Sequence, residues 1–288
     1  MRHELNPETF DLEQTLTCGQ TFCWHRFEGQ LYDEDGEKRF YSFVKDQPVI
    51  VEEKDGKVIV ETPLEKQEVE EALGLHKDVD KIFDNFPEDE RIEKAREEFE
   101  GLRIIQDEFF PCLISYLMSP QMRIPRIKKM FNKIAEQHGE KIEYKGETLL
   151  KFPDHETLLE LSEDELRDIG VGYRAKYIAE SMKILEEFEH TDLDDMSYEE
   201  AREEMKKLYG VGDKVADCVL LFSKDFTEAA PLDTWAKKAL KSQFPELHSE
   251  DYDEASVNIR EYFGSDAGYA LEYVFHAARN GVLEVEDE

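Results

Sequence analysis

The periodicity of apolar residues changes near residue 65, and this change constrains the fold more than any other feature. Before it, segments such as KRFYSFVK and PVIVEEKDGKVIVETP alternate apolar and polar residues, with EDGEK and EKDGK at the joints. That alternation is typical of antiparallel strands joined by hairpins. After it, segments such as RIKKMFNKIAEQH and YRAKYIAESMKILEEF have helical spacing. We predict an α+β protein with a small antiparallel β domain over residues 1–64 and a larger all-helical domain over residues 65–288.

The charge balance limits the classes of partner. The 69 acidic and 36 basic side chains give a formal net charge of −33. A chain this acidic repels phosphate at low ionic strength. Either its partner is not a polyanion, or the protein works in concentrated salt, where screening makes long-range charge nearly irrelevant. Composition by itself favours the first alternative, so a nucleic-acid partner needs evidence from specific residues.

Cysteine content and hydropathy point to the cytoplasm. The four cysteines are scattered and form no CxxC pair, which argues against a disulfide framework or a zinc site. No apolar run is long enough to cross a bilayer, and the start MRHELNPETF has no apolar signal core. We expect a cytoplasmic protein with free thiols, no membrane partner and no cofactor.

A glycine pair lies between two helical segments at residues 208–218, LYGVGDKVADC. SYEEAREEMKKL precedes the pair and DKVADCVLLFSK follows it, which predicts a helix, a tight hairpin and a second helix. Gly210 and Gly212 allow close approach of another molecule. The amides of Gly210, Val211 and Gly212, with the N-terminus of the second helix, could then face a DNA phosphate. For a bare glycine pair, a plain helix–helix connection would be the favoured interpretation.

Lys214 and Asp233 form a candidate catalytic pair. Asp233 follows Lys214 by 19 residues (233 minus 214) and precedes an amphipathic helix, so it is also a natural helix N-cap. If the chain between them folds back, both side chains can face one cleft. A deprotonated lysine amine can form a Schiff base, while a carboxylate stabilises a sugar cation.

These motifs carry a family resemblance. LYGVGDKVADC followed by APLDTW resembles the signature of the helix-hairpin-helix Gly/Pro/Asp DNA glycosylase superfamily, and in particular its 8-oxoguanine DNA glycosylase branch. CGQTFCW, GVGYRAKY and DAGYALEYVFHA resemble further segments of that branch, in the family's order, so the resemblance extends over residues 18–277. It implies that Lys214 attacks C1′ of the damaged nucleotide and that Asp233 stabilises the charge on the sugar.

The resemblance also assigns the base pocket. Gly19 corresponds to the glycine whose carbonyl accepts the N7 hydrogen found on 8-oxoguanine but not on guanine. Cys218 and Phe275 correspond to the residues that sandwich the extruded base. Taken without the resemblance, both would be core residues. Leu271 stands where the family has a glutamine that reads the Watson–Crick edge, so base discrimination is expected to be looser or to depend on backbone groups.

A further set of residues is expected to contact the rest of the DNA. Tyr173 corresponds to the aromatic wedge beside the vacated base, and Arg174 and Arg126 to arginines that reach the unpaired cytosine. On their own, these residues would read as a solvated helix face. Gln121 replaces the asparagine that fills the gap opposite cytosine, which leaves the opposite-base preference open.

The resemblance also leads to two expectations about metal ions. The carbonyls of Lys206, Leu208 and Val211 would hold a monovalent cation, Na⁺ or K⁺, against a phosphate. No cysteine follows Cys218, so the iron–sulfur cluster of the endonuclease III and adenine glycosylase branches is not expected.

Together these features predict a bifunctional DNA glycosylase/AP lyase that excises 8-oxoguanine from duplex DNA. The expected partner is double-stranded DNA containing oxidised guanine, the expected state is a monomer, and the acidic composition suggests a salt-adapted microbe. Two alternatives remain. One is an alkylated-base glycosylase of the same superfamily, which normally lacks the lysine, and the other is a non-catalytic helix-hairpin-helix DNA-binding module.

Overall fold

An antiparallel sheet forms the N-terminal part of the protein. The computed structural model describes residues 1–7, 9–32, 37–54 and 56–285. Its strands are β1 (Arg2–Leu5), β2 (His25–Arg26), β3 (Arg39–Val44), β4 (Gln47–Lys54) and β5 (Lys57–Glu61). The sheet order is β1-β5-β4-β3-β2, and every neighbouring pair is antiparallel, as the alternating pattern predicts. EKDGK lies at the β4–β5 turn except for its Asp55, and most of the predicted EDGEK turn lies outside the described residues.

One face of this sheet carries its own apolar core. Phe40, Val49, Val51 and Val60 are fully buried, and they pack with Leu16 of the first helix. In a strand, alternate residues point to the same face, so the period-two pattern of the sequence directly produces this buried layer.

Helices make up most of the chain after the sheet. Three helices, over Phe109–Leu117, Asp213–Ser223 and Ala267–Arg279, lie in the larger apolar core and supply much of the candidate site described below. In the part of the chain that is described, no helix is both long and apolar enough to span a membrane. The helices are α1 (Leu12–Thr17), α2 (Lys66–Ala72), α3 (Val79–Asp84), α4 (Glu90–Glu98), α5 (Phe109–Leu117), α6 (Ile124–His138), α7 (His155–Leu159), α8 (Glu163–Leu166), α9 (Arg174–Leu185), α10 (Tyr198–Met205), α11 (Asp213–Ser223), α12 (Thr234–Gln243), α13 (Tyr252–Phe263) and α14 (Ala267–Arg279), with a π-helical turn over Arg167–Val171 and 3₁₀ turns over His190–Asp195 and Gly264–Asp266.

Three helices begin at side-chain caps that their sequences suggest. The side chains of Ser162, Ser197 and Asp233 accept hydrogen bonds from backbone N–H groups three residues on, at the starts of α8, α10 and α12. Each cap satisfies one of the amides that a helix start leaves unpaired.

A second hairpin interrupts the helices and was not expected from the sequence. Strands β6 (Glu140–Tyr144) and β7 (Glu147–Lys151) are antiparallel and are joined by Lys145 and Gly146, both with positive φ. Two positive φ values are typical of the tight turns that suit the twist of a hairpin. Its Leu149 is fully buried and packs with Tyr41 and Ile50 of the N-terminal sheet. The hairpin therefore contacts that sheet directly.

Candidate active site

The glycine pair forms the turn of a helix-hairpin-helix unit made by α10 and α11. Gly210 has φ +86°, and a Cβ atom there would lie 2.5 Å from Cγ of Tyr177. Only glycine suits this position, because both the backbone conformation and the close packing exclude a side chain. Ser181 Oγ donates to the carbonyl of Tyr209 at 2.8 Å, which ties the turn to α9.

Gly212 differs from Gly210 because the fold itself does not require a glycine there. Gly212 has φ −99°, it is exposed, and a Cβ atom would have no neighbour within 4 Å. It is the N-cap residue of α11, and no side chain caps the first amides of that helix. The open space beside Gly212 therefore leaves these amides accessible to a group from another molecule.

Lys214 lies in the first turn of α11, half-buried. Its Nζ atom donates to Oγ of Ser119 at 3.2 Å and lies 4.9 Å from the ring centroid of Tyr116. Ser119 Oγ in turn donates to the carbonyl of Tyr116 at 2.8 Å. The amine is therefore held at a defined point on α5 and the residues that follow it, rather than extending into solvent.

Asp233 caps α12 and faces the same region. One of its carboxylate oxygens accepts from the N–H of Ala236 at 2.7 Å. Burial raises the pKa of Asp233, while that amide and the charge of Lys214 act in the opposite direction. Lys214 is thus near enough to act electrostatically on this carboxylate.

A buried hydrogen-bond relay connects the two candidate catalytic segments. The hydroxyl of Tyr252 donates to Asp217 of α11 at 2.7 Å and accepts from the N–H of Leu232 at 3.1 Å. Asp217 is fully buried and also accepts from the hydroxyl of Tyr198 at 2.7 Å. The relay runs from the helix that carries Lys214 to the residue before Asp233, so it fixes their relative positions.

These residues line one cleft of about 860 Å³, which we call the central cleft. That volume suits a ligand larger than a single base. Nine of the residues predicted from the sequence are in its lining, together with Trp235. The nine are Gly19, Gln121, Gly210, Gly212, Lys214, Cys218, Asp233, Leu271 and Phe275.

Gly19 occupies a tight position at the edge of the central cleft. Its φ is +115°, and a Cβ atom would lie 2.7 Å from Cδ1 of Ile124. The guanidinium of Arg279 donates to the neighbouring carbonyl of Cys18. Within the described chain, no hydrogen bond uses the Gly19 carbonyl itself. The segment is thus held in place while one carbonyl acceptor stays available.

Cys218, Leu271 and Phe275 form apolar walls of the central cleft. Each is buried, with 3%, 3% and 9% of its surface exposed. Burial raises the pKa of the Cys218 thiol to about 12, so the sulfur is a neutral, polarisable surface at physiological pH. Flat apolar walls of this kind suit an inserted aromatic base.

The residues predicted to reach the opposite strand lie in different environments. Gln121 is exposed with φ +56° and lines the central cleft, whereas Arg126 and Tyr173 are exposed but lie outside its lining. Arg174 is buried, with 7% of its surface exposed, and its Nε donates to the carbonyl of Pro120 at 2.9 Å. The reading of Arg174 as part of a solvated helix face is therefore wrong.

The residues predicted to hold a cation lie outside the central cleft. Lys206, Leu208 and Val211 do not line the central cleft. The Leu208 carbonyl already accepts from the N–H of Val211 at 3.1 Å, and the Lys206 ammonium pairs with Asp213 at 2.8 Å. Among the described residues, no group of three or more His, Cys, Asp or Glu side chains could hold a metal ion. The monovalent cation stays a prediction.

Comparison with known proteins supplies the family. Residues 3–113 match the family model of the 8-oxoguanine DNA glycosylase N-terminal domain, and residues 114–263 match that of the HhH-GPD superfamily base excision DNA repair proteins. The chain belongs to the HhH-GPD superfamily of base excision DNA repair proteins. The first match includes the N-terminal sheet and the helices through α4, and the second includes the hairpin formed by α10 and α11.

Individual members of this DNA repair family are similar to this protein over most of its length. A probable N-glycosylase/DNA lyase of Methanothermobacter thermautotrophicus is 31% identical, with 96% of each chain covered. The N-glycosylase/DNA lyase of Saccharomyces cerevisiae is 27% identical, with 83% of this chain and 70% of the yeast protein covered. The crystal structure of Clostridium acetobutylicum 8-oxoguanine glycosylase/lyase, bound to DNA with cytosine opposite 8-oxoguanine, has a TM-score of 0.83 at 32% identity and 98% coverage of both chains.

Four residues of this glycosylase fold's central cleft were not singled out from the sequence. Tyr116 and Ser119 contact the Lys214 amine, Arg279 holds the Cys18 carbonyl, and Glu272 lies on α14 between Leu271 and Phe275. Glu272 lies within the DAGYALEYVFHA segment but was given no role there, and Tyr116, Ser119 and Arg279 lie outside the quoted motifs. Burial raises the pKa of Glu272 to about 7.

Proposed function

We propose that the protein is a bifunctional DNA glycosylase and AP lyase that excises 8-oxoguanine from duplex DNA. The observation that carries this proposal is the meeting of Lys214 and Asp233 in one cleft with Gly19, Cys218 and Phe275. A nucleophilic amine, a stabilising carboxylate, a carbonyl acceptor and two flat walls are the groups needed to hold an extruded base and detach it.

Lys214 and Asp233 divide the chemistry between them. After losing a proton, the Lys214 amine attacks C1′, the bond from C1′ to the base breaks, and the base leaves with the bonding electrons. Asp233 stabilises the positive charge that develops on the sugar during this step. The amine nitrogen then loses a proton as the bond from C1′ to O4′ breaks and O4′ takes up a proton, which opens the sugar ring and gives an imine. Loss of a proton from C2′ then expels the 3′ phosphate and cleaves the strand. The central cleft is wide enough to hold both the sugar and the base.

The base is recognised through its N7 hydrogen and its two faces. 8-Oxoguanine carries a hydrogen on N7, and the available carbonyl of Gly19 would accept it. Guanine has a lone pair there instead, which a carbonyl repels. Cys218 and Phe275 would lie against opposite faces of the ring. Leu271 adds apolar contact but forms no hydrogen bond.

The hairpin would hold the DNA backbone without a basic surface. The amides of Gly210 and Gly212 and the positive end of α11 can bind a phosphate, whereas the Val211 amide would do so only after leaving the carbonyl of Leu208. We place the monovalent cation on the carbonyls of Lys206, Leu208 and Val211, beside the same phosphate. Bound through backbone dipoles and one ion, DNA can associate with a protein of net charge −33.

On the opposite strand, Tyr173 would fill the space left by the extruded base. Arg126 and Gln121 would approach the unpaired cytosine. Arg174 would reach the same cytosine only after its guanidinium leaves the carbonyl of Pro120. Binding at this position would therefore include a side-chain rearrangement.

The two alternatives explain less of the central cleft. A non-catalytic module would use Gly210 and Gly212 but would have no use for an amine held by Ser119 beside Asp233. An alkylated-base glycosylase would use Asp233 but not Lys214.

We further propose that the protein is a cytoplasmic monomer. We also propose that its two domains meet between residues 64 and 65.

Borohydride trapping tests the proposed function. Borohydride reduces an imine to a stable amine, so a duplex with 8-oxoguanine opposite cytosine should yield a covalent protein–DNA complex. Lys214→Gln keeps a polar side chain but removes the nucleophilic amine, so it should bind the same duplex but give neither excision nor the complex. A complex formed by Lys214→Gln would remove this lysine from the mechanism. No complex with the unaltered protein, on either the lesion or a preformed abasic site, would contradict the lyase assignment.

A further inference from the structure

Helix α14 presents one continuous stripe to the central cleft. The stripe consists of Gly268, Leu271, Glu272, Phe275 and Arg279. Their spacings of three, one, three and four residues are those of a single helical face. Glu272 therefore lies in the middle of the surface that also carries the proposed base wall Phe275. Of the residues on this stripe, Glu272 alone can accept hydrogen bonds through its side chain.

The carboxyl group of Glu272 is buried without a strong partner. Its surface is 7% exposed, and its one hydrogen-bond donor in the described chain is the thiol of Cys18 at 3.4 Å, a weak donor. No ion pair of the described residues includes it. The charge of Arg279 is favourable, but its guanidinium donates to the Cys18 carbonyl, and the charge of Asp233 is unfavourable. Burying a carboxyl under these conditions costs free energy that the described contacts do not fully recover.

Oxidised guanine would supply the missing donors. Its Watson–Crick edge carries N1–H beside an exocyclic N2 amino group, two adjacent donors that match the two oxygens of a carboxylate. Leu271, on the same stripe, cannot form these bonds. We propose that Glu272 is the side chain that hydrogen bonds the extruded base, accepting from N1–H and the N2 amino group. Glu272 thereby selects guanine-type oxidised purines.

This inference rests on the proposed function and predicts a specific discrimination. 8-Oxohypoxanthine keeps the N7 hydrogen that Gly19 would detect, but it lacks the N2 amino group. Losing a hydrogen bond to a charged acceptor costs about 10-fold to 100-fold in rate. The unaltered enzyme should therefore excise 8-oxoguanine faster than 8-oxohypoxanthine by that factor, although both present the same N7 hydrogen.

Three duplexes test the role of Glu272 under single-turnover conditions. They differ only in the central residue, which is 8-oxoguanine, 8-oxohypoxanthine or a preformed abasic site. The abasic duplex has no base to bind, so lyase activity on it normalises each preparation. Glu272→Ala should lose the preference for 8-oxoguanine, because only that base has the donor pair. Glu272→Gln presents one amide donor against two N–H donors, so its preference should fall as well, with less change in packing. Glu261→Gln, an exposed glutamate on α13, is the matched control and should keep the preference.

The outcomes separate the inference from the function it rests on. A wild-type preference in Glu272→Gln, or in Glu272→Ala with normal lyase activity, would overturn the role of Glu272 alone. Equal excision of the two bases by the unaltered enzyme would overturn it too. Failure of the unaltered enzyme to excise either base or to give a borohydride complex would overturn both the proposed function and this role.

Discussion

The Nζ atom of Lys214 lies 3.2 Å from Oγ of Ser119, although 95 residues separate them in the sequence. Ser119 follows α5 and Lys214 lies in the first turn of α11, so the contact depends on the packing of these two helices. The Tyr116 ring on the same side of the amine adds a cation–π contact at 4.9 Å. Together they position the amine toward the central cleft before any substrate arrives.

Removing the Ser119 hydroxyl should therefore slow the reaction. Ser119→Ala deletes one hydrogen bond to the amine, worth about 1 kcal/mol, so we expect about a 5-fold slower formation of the trapped complex. Ser119→Thr keeps the hydroxyl and is the matched control. The measurement is the single-turnover rate of borohydride trapping on an 8-oxoguanine duplex. Equal rates for all three proteins would show that Ser119 does not position the amine.

Asp233→Asn separates the electrostatic role of Asp233 from its role as a cap. Asparagine caps helices about as well as aspartate, so the hydrogen bond to Ala236 should survive and the melting temperature should change little. The loss of the negative charge should lower the excision rate by about 100-fold or more. Asp251→Asn, at the cap of α13, is the control for changing a cap carboxylate outside the central cleft. Normal excision by Asp233→Asn would reduce Asp233 to a helix cap.

Alanine substitutions at the two hairpin glycines should affect different properties: Gly210→Ala should lower the stability, and Gly212→Ala should weaken DNA binding. Gly210→Ala places a methyl group 2.5 Å from the ring of Tyr177 at φ +86°, and we expect a loss of about 1–3 kcal/mol in the free energy of unfolding. Gly212→Ala meets no atom within 4 Å, so its stability should change by less than about 1 kcal/mol. Its methyl group would instead hinder a phosphate approaching the amides of α11.

Melting curves and fluorescence anisotropy with a labelled duplex distinguish these two effects. Gly212→Ala should melt like the unaltered protein and bind DNA more weakly. If Gly212→Ala binds DNA with unchanged affinity, the hairpin is a structural connection and not a phosphate site.

Some of the site was predictable from sequence and some was not, for a physical reason. Local spacing identifies Gly210, Lys214 and Asp233 because a hairpin glycine, a first-turn lysine and a cap are features of adjacent residues. Ser119 and Glu272 are different, because their contacts with Lys214 and Cys18 span 95 and 254 residues. Only the assembled core brings such pairs together.

The fold, like the site, was only partly predictable from the sequence. The long amphipathic helices were predicted, whereas the β6–β7 hairpin was not. Its strands have five residues each, and its packing against the N-terminal sheet is a tertiary contact.

A buried carboxyl behind the central cleft predicts a pH dependence of stability. Asp107 is 8% exposed and accepts from Thr21 Oγ at 2.7 Å, and burial raises its pKa to about 7. From its unfolded value near 4 up to about 7, the folded state binds more protons than the unfolded chain, so the free energy of unfolding falls as the pH rises. Burial lowers the pKa of the neighbouring Lys128 to about 7, and its contribution has the opposite sign above that pH.

Asp107→Asn should remove the part of the pH dependence of stability that comes from the Asp107 carboxyl. Relative to the variant, the unaltered protein should lose on the order of 2 kcal/mol of unfolding free energy between about pH 5 and pH 8. Denaturant titrations at several pH values provide the measurement, with the exposed Asp164→Asn as control. Parallel curves for the unaltered protein and Asp107→Asn would show that Asp107 has an ordinary proton affinity.

The net charge of −33 leads to a prediction about salt. Self-repulsion should destabilise the folded state when salt is removed, and DNA should be repelled everywhere except at the hairpin amides, the proposed cation and a few arginines. A basic DNA-binding protein loses affinity steeply as salt rises, because each neutralised phosphate releases a counterion. Here such contacts are few and the repulsive background is screened over about 3 Å at 1 M salt, so excision and folding should persist or improve up to about 1 M potassium chloride. The measurement is the excision rate and the melting temperature across a salt series on one preparation. A steady fall of both from low salt upward would contradict adaptation to salt, and it would favour a basic protein partner as the reason for the acidic surface.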